Sequence, residues 1–442
     1  MKKTKAFALV LAVLLLACAL PLNVYAQTEG EFEYTVENGE ATVTKYLGEG
    51  GDVVIPATLG GYPVTTVAAE IFVFPGGTFA KEIVITGVTL PDGLKKIEAR
   101  ALRELPIKEL VIPASVTEIG ELVISNCKDL ETLKIGEGES IYTSKGNCTY
   151  DQDGVLILGC GASEFPTDGS LKEIGAHAFY GATMESAVLP EGLLKIGRMA
   201  FACSYIESIV LPDTLQHIGE YAFHFCDKLE TIKIPDSVTE IGASAFYFCR
   251  GLKKVKLPTG LTKVEPEVFW MCCELNTIEI PETVTEIGDM AFFMCEKLRN
   301  ILLPDGLEKI GTGAFGQNLC LKTVYIPESV QTIGSCAFES YTETILCGAE
   351  QQPEGWDEGW YSGENTTVVF GAERPGASPA SGDINGDGEV NAQDYMAVKR
   401  FVLGTLSLTE AQTAGADVNG DGAADAQDYM MLKRIVLGTY QL

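Results

Sequence analysis

Histidine is scarce: His177, His217 and His224 are the only three in 442 residues. The commonest general base and metal ligand is therefore missing from most of the chain. Basic charge is short as well, with 32 lysines and arginines against 61 aspartates and glutamates and a formal net charge of -29. A nucleic-acid binder needs a basic face that releases phosphate counterions, so the composition argues against nucleic acid and for calcium or a basic protein surface. No nucleophile elbow, paired-carboxylate motif or zinc-binding helix stands outside the repeats described below. No unassigned stretch is long enough for a catalytic domain, so no catalytic residues are expected.

Long apolar runs are absent except at the start. Met1, Lys2, Lys3, Thr4 and Lys5 precede an apolar run from Ala6 to Leu20 that is too short to favour a stable membrane span. Residues 1–26 read as a secretion signal, cleaved after Val24-Tyr25-Ala26. A competing lipobox ends at Cys18, but Leu16 is bulky for one and Pro21 falls where a helix-breaking boundary belongs. The mature chain is expected to be soluble, secreted and extracellular.

At this length two or more folding units are expected. Self-comparison shows what builds the first. A unit such as Leu229 to Phe246 carries an alternating strand with Ile232 and Ile234, then Pro235, Ile241-Gly242 and Ala245-Phe246. The Ile-Gly anchor falls at Ile174, Ile196, Ile218, Ile241, Ile287, Ile310 and Ile333, with Val264-Glu265 standing in once, at spacings of 22 or 23 residues. Earlier units anchor at Ile97 and Ile119. Stacked units align Phe179, Phe201, Phe223, Phe246, Phe269, Phe292, Phe315 and Phe338 in one core that no single unit can bury alone. Exposed strand positions Val188, Val210, Lys233, Lys256, Glu279, Leu302 and Tyr325 then line a concave face.

The 13 cysteines are spread out rather than packed as in a short disulfide scaffold. Cys226, Cys249, Cys272 and Cys295 each lie three residues after the unit's phenylalanine, and Asn318 takes that slot next. Recurrence at the structural period makes them packing residues rather than a metal or redox ladder. Cys148 and Cys160, flanking a turn at 151–154, are candidates for a hairpin bridge whose oxidation state the sequence leaves open.

These units resemble the BspA-like leucine-rich-repeat family over about residues 30 to 371. Tyr34 to Gly39, Ile55-Pro56 and Gly60 to Val64 resemble its N-terminal cap, and Gly146 to Cys160 its usual interruption. Pro353 to Trp356, Trp360 and Val368 to Gly371 resemble its closing unit, where capping is the expected role of the tryptophans rather than a carbohydrate platform. The resemblance implies a mostly β solenoid of short strands with irregular or short helical connections, and a role in adhesion or binding.

After Gly371 the composition changes. Residues 372–381 lack apolar periodicity and read as a linker. A duplication follows. Asp383, Asn385, Asp387, Asn391 and Asp394 place oxygen donors at positions 1, 3, 5, 9 and 12 of a calcium loop, with Glu389 offering its backbone carbonyl at position 7. Asp417, Asn419, Asp421, Ala423, Asp425 and Asp428 repeat the pattern 34 residues on. Gly388 and Gly422 take the sharp turn at the sixth position. Two loops in register, each followed by the same helical pattern but lacking the preceding helix of a full EF-hand, point to two calcium ions.

Residues 382–442 resemble a type I dockerin, a small all-α module that docks secreted proteins onto cohesins of cellulosome scaffolds. The resemblance implies partner contacts at Ala392, Gln393, Lys399, Arg400 and Gly404, mirrored by Ala426, Gln427, Lys433, Arg434 and Gly438. Many dockerins carry Ser-Thr where this chain has Ala-Gln, which implies a different cohesin class. Identical halves imply that either helix can face the cohesin. The expected organisation is a signal at 1–26, a solenoid at 27–371, a linker at 372–381 and a dockerin at 382–442. The expected function is a secreted, non-catalytic cellulosome component whose solenoid, in 27–371, presents a protein- or glycan-binding surface. The alternatives are a dockerin-borne carbohydrate-active enzyme with an unrecognised site and a cohesin-attached surface adhesin outside a cellulosome.

Overall fold

A computed structural model describes residues 25–72, 84–299, 301–339, 341–363, 365–372, 374, 382, 384, 390–408, 410–418 and 424–436. The signal at 1–26, Cys18 included, therefore lies almost wholly outside the described residues.

The chain opens on an antiparallel cap of Gln27–Glu29, Phe32–Glu37 and Glu40–Tyr46. Tyr62–Val67 pairs parallel to the last of these and hands the sheet on to Lys96–Ile97 and Glu118–Ile119. From there the molecule is a β-solenoid of about 14 turns. The expected strands form where alternation predicts them. Thr231–Lys233 buries Ile232 between two exposed neighbours, and it pairs in parallel register with Lys254–Lys256.

A second ladder was not legible in the pattern. The two residues ending in each anchor isoleucine form their own parallel strand, as in Glu173–Ile174, Lys195–Ile196, His217–Ile218 and Glu240–Ile241. Two residues are too few to show alternation, and only pairing between turns makes them a sheet. Where a glycine follows the anchor, that closeness requires it. A Cβ on Gly242 would lie 2.5 Å from the Glu220 nitrogen of the preceding turn, and one on Gly288 would lie 2.5 Å from that of Pro266.

The phenylalanine column forms as expected. From Phe179 to Phe338 consecutive rings stack with centroids 5.2–5.5 Å apart, all essentially buried. Trp360 closes the column edge-on against Phe338 at 6.1 Å, and Trp356 donates its indole N–H to the Val330 carbonyl at 3.1 Å. With both tryptophans buried, they seal the end of the core.

The core is divided, however. The interruption forms an antiparallel meander of Thr143–Lys145, Cys148–Tyr150 and Val155–Gly159. A register shift between Thr149 and Tyr150 breaks the alternation, so that Leu158 and Cys160 enter the N-terminal core and Cys148, Tyr150 and Leu156 the phenylalanine core. Cys148 pairs with Gly159 rather than Cys160, and both thiols are free. The candidate bridge is not formed, and the Cys160 sulfur instead lies 3.9 Å from the Ser163 hydroxyl.

Candidate functional site

Three helices make up the described part of the C-terminal region: α1 Ala392–Val402, α2 Glu410–Ala416 and α3 Ala426–Val436. The sequence anticipated α1 and α3. It did not reveal α2, whose seven residues include a glycine and lack an apolar stripe. Tertiary contacts place α2 beside the first loop. Gly382 donates its N–H to the Gly415 carbonyl at 2.7 Å, and Gln412 donates to the Ile384 carbonyl at 3.1 Å.

Each long helix starts on the last donor of its loop. Asn391 caps α1 by accepting the Gln393 N–H at 2.8 Å, while Asp394 accepts the Asn391 N–H at 3.0 Å, which completes a capping box. The second carboxylate oxygen of Asp394 accepts the Ile384 N–H at 2.7 Å. In the other half Asp428 accepts the Asp425 N–H at 2.8 Å. Asp394 and Asp428 are both fully buried at the starts of α1 and α3. Burying a carboxylate is costly unless charge and hydrogen bonds compensate, so an all-oxygen donor set of this kind fits a hard cation such as calcium. Asp417 and Asp425 are also described. Asp383, Asn385, Asp387, Glu389, Asn419, Asp421 and Ala423 lie outside the described residues.

The halves meet through Tyr395 and Tyr429, the residues after each closing aspartate. Their rings stack at 5.1 Å and their hydroxyls lie 2.7 Å apart. Ile384, Val398, Ala416, Val418 and Leu432 are buried at the centre of the module.

Among the residues with expected partner contacts, Ala392, Gln393, Arg400, Gly404, Ala426, Lys433 and Arg434 are exposed and Lys399 is half-buried. Gln427 lies in α3, and Gly438 lies outside the described residues. Gly404 also has a local role. Its φ of 68° lets the chain leave α1 while its N–H reaches the Phe401 carbonyl at 2.8 Å.

The sequence reading passed over an apolar stripe on the same surface. Met396, Leu403 and Met430 are 47%, 65% and 53% exposed. Ala392, Met396, Lys399 and Leu403 follow one another at helical spacing along one face of α1. Helical periodicity alone does not distinguish such a face from a core-facing one, since Val398 and Leu432 supply the buried side.

The histidines do not build a catalytic centre. Burial pulls the imidazoles of His177 and His224 below the usual range, and the Nδ1 of each is buried without a hydrogen-bond partner among the described residues. His217 faces Glu240 at 3.2 Å on the surface. Of the acids read as solvated, Glu240 remains exposed, whereas Glu286 sits between Lys309 at 2.9 Å and Lys263 at 3.6 Å.

The fold and the paired helix starts define a leucine-rich-repeat solenoid that carries a small, internally duplicated loop-and-helix module. Six copies of the BspA type leucine rich repeat region match residues 69–151, 158–250 and 216–345, and the dockerin type I domain matches 381–437. The chain belongs to the BspA type leucine-rich-repeat family and ends in a type I dockerin domain. A leucine-rich repeat protein from Eubacterium ventriosum shares the fold, with TM-score 0.50 and 17% identity over 76% of this chain and 97% of that one. One from Bacteroides ovatus aligns with TM-score 0.49 and 24% identity over 78% of this chain and 100% of that one. No curated protein matches the chain. Dockerins of this type are generally calcium-binding and imply a cohesin partner, and both families are typically extracellular or cell-surface proteins. No described helix is long and apolar enough to cross a membrane.

Proposed function

We propose that this protein is a secreted, non-catalytic component of a cellulosome-type assembly, in which residues 382–442 dock onto a scaffold cohesin and the solenoid, within 27–371, presents a ligand-binding surface. The observation that carries this reading is the twofold repetition of one helix start: a buried closing aspartate with an exposed alanine two residues before it, an exposed methionine two residues after it and an exposed arginine six residues after it. Two bound calcium ions would offset the like charge gathered in each loop. Asp383, Asn385, Asp387, Glu389, Asn391 and Asp394 would hold one ion, and Asp417, Asn419, Asp421, Ala423, Asp425 and Asp428 the other. Asp394 and Asp428 then fix the helices that present Ala392, Gln393, Lys399, Arg400 and Gly404, or Ala426, Gln427, Lys433, Arg434 and Gly438, to the cohesin. Met396 and Leu403 supply an apolar centre within that polar rim, the usual anatomy of an interface.

Calorimetric titration against a cognate cohesin tests this. Binding should require calcium. Replacing Lys399 and Arg400 by alanine should weaken it only slightly, as should replacing Lys433 and Arg434, because the module can turn and present its other half. Losing a central interface arginine with no substitute costs on the order of 2 kcal/mol or more, so the quadruple variant should nearly abolish binding. If one double variant alone eliminates binding, only one orientation is used.

A further inference from the structure

The outward face of the longer-stranded sheet has a chemistry unlike the rest of the surface. Register aligns Ser186, Ser208, Thr231, Lys254 and Thr277 in one column. Val188 beside Val210, and Lys233 beside Lys256 and Glu279, occupy the other exposed position of the same strands. Lys233 and Lys256 are thus immediate neighbours about 4.8 Å apart across the ladder, with Lys254 two residues along the same strand. Like charges placed directly opposite destabilise a sheet.

These lysines also lack a close ion-pair partner among the described residues. Lys195, Lys228, Lys253, Lys297 and Lys309 each pair with a glutamate of a neighbouring turn at 2.7–3.1 Å. Lys233, Lys254 and Lys256 form no ion pair among the described residues. Glu279 flanks Lys256 in register, and Asp236 lies near Lys233 and Lys256 but takes its main hydrogen bond from the Thr259 backbone. A cluster of three lysines without a close ion pair among the described residues stands out on a chain whose net charge is -29.

The surroundings indicate which anion fits. The serines and threonines offer hydroxyls, and Val188 and Val210, 70% and 57% exposed, offer apolar surface beside the cations. An extended acidic peptide is usually captured at a free sheet edge, yet Thr231–Lys233 and Lys254–Lys256 are paired on both sides. We propose that this face binds a linear uronic-acid polysaccharide laid across the strands. Lys233 and Lys256 hold carboxylates of successive sugars, Lys254 flanks the second from the neighbouring row, and the hydroxyls and valines meet the neutral edges. This deepens the ligand-presenting role proposed for the solenoid and rests on it.

The test titrates the full chain with polygalacturonate oligomers in calcium-free buffer, so that cation bridging cannot contribute. Binding should weaken with salt and fall by about tenfold or more, both in the K233Q/K254Q/K256Q variant and with fully methyl-esterified oligomers on the wild-type chain. The variant's melting curve checks its fold. Should it fail to fold, the esterified oligomers and the salt series on the wild type still decide. Absence of polygalacturonate binding, equal affinity for the esterified oligomers, equal affinity of a folded variant, or tighter binding of poly-glutamate would each overturn the assignment. Cohesin titration of the same variant, with calcium restored, should be unchanged. Failure of the wild-type chain to bind uronate while it still binds cohesin therefore counts against this face, and failure to bind cohesin while uronate still binds counts against the docking reading.

Discussion

The phenylalanine and cysteine of each turn share the work of closing it. The Cys249 thiol donates to the Phe223 carbonyl of the previous turn at 3.0 Å, and Cys226, Cys272 and Cys295 repeat the contact at 3.1–3.3 Å. Asn318 instead donates to the Phe315 carbonyl of its own turn at 3.1 Å. Because Phe246 stacks on rings from both sides, Phe246→Ala should leave a cavity between turns and cost about 3–5 kcal/mol, read from equilibrium unfolding in urea. Burial pushes the thiols of Cys226 and Cys347 up to about 12 and that of Cys148 up to about 11, against an ordinary value of 9.0. The folded chain therefore keeps these protons after the unfolded chain has lost them. Stability should be unaffected by these groups below pH 9.0 and should fall as pH rises from there toward 11 and 12. A thermal midpoint that stays constant across that window would contradict the burial of the thiols.

Among the elements, the two kinds of strand and the helices draw on different forces. The turn after each anchor adopts left-handed backbone at non-glycine residues, including Tyr221, Phe225, Ser244, Phe248, Glu267 and Met271, all with φ between 55° and 61°. Such conformations are unfavourable for bulky side chains, and here stacking against neighbouring turns holds them. The described helices α1 and α3 have only a small shared core, and their starts bury Asp394 and Asp428. Hydrogen exchange on the intact chain should therefore show peptides covering α1 and α3 losing protection in chelator, while solenoid peptides do not change. Full protection of α1 and α3 in chelator would show that the helices stand without calcium.

On the scale of the whole molecule, the solenoid is a quasi-one-dimensional stack that needs ends and a tether. The antiparallel strands at 27–46 cover one end, and Trp356 and Trp360 seal the other. Past the closing strand Thr367–Phe370, Arg374 reaches back to pair with Asp305 and donates to the Leu303 carbonyl at 3.1 Å. Arg374 is thereby tied to the body of the solenoid. His177 is buried, His224 packs against Phe225 and Tyr247, and His217, Glu240 and Glu286 sit in ion pairs; on the non-catalytic reading, purified protein should not hydrolyse plant polysaccharides. Reducing-sugar release that survives removal of contaminating enzymes would overturn that expectation.

Patterns repeated at a fixed interval were legible from residue order alone, because each stacked turn must present the same side chain to the same neighbour. The phenylalanine column, the cysteine slot, the burying strands and the helices following the loops are of this kind. The tertiary structure decided whatever depends on neighbours rather than order. Two-residue strands such as Glu240–Ile241 exist only by pairing. The core divides because the 143–159 meander faces both ways, and α2 is ordered against the first loop. Exposure, too, is a property of the assembled stack. Residue order lists Lys233 and Lys256 23 residues apart, and only the register of the sheet makes them adjacent cations.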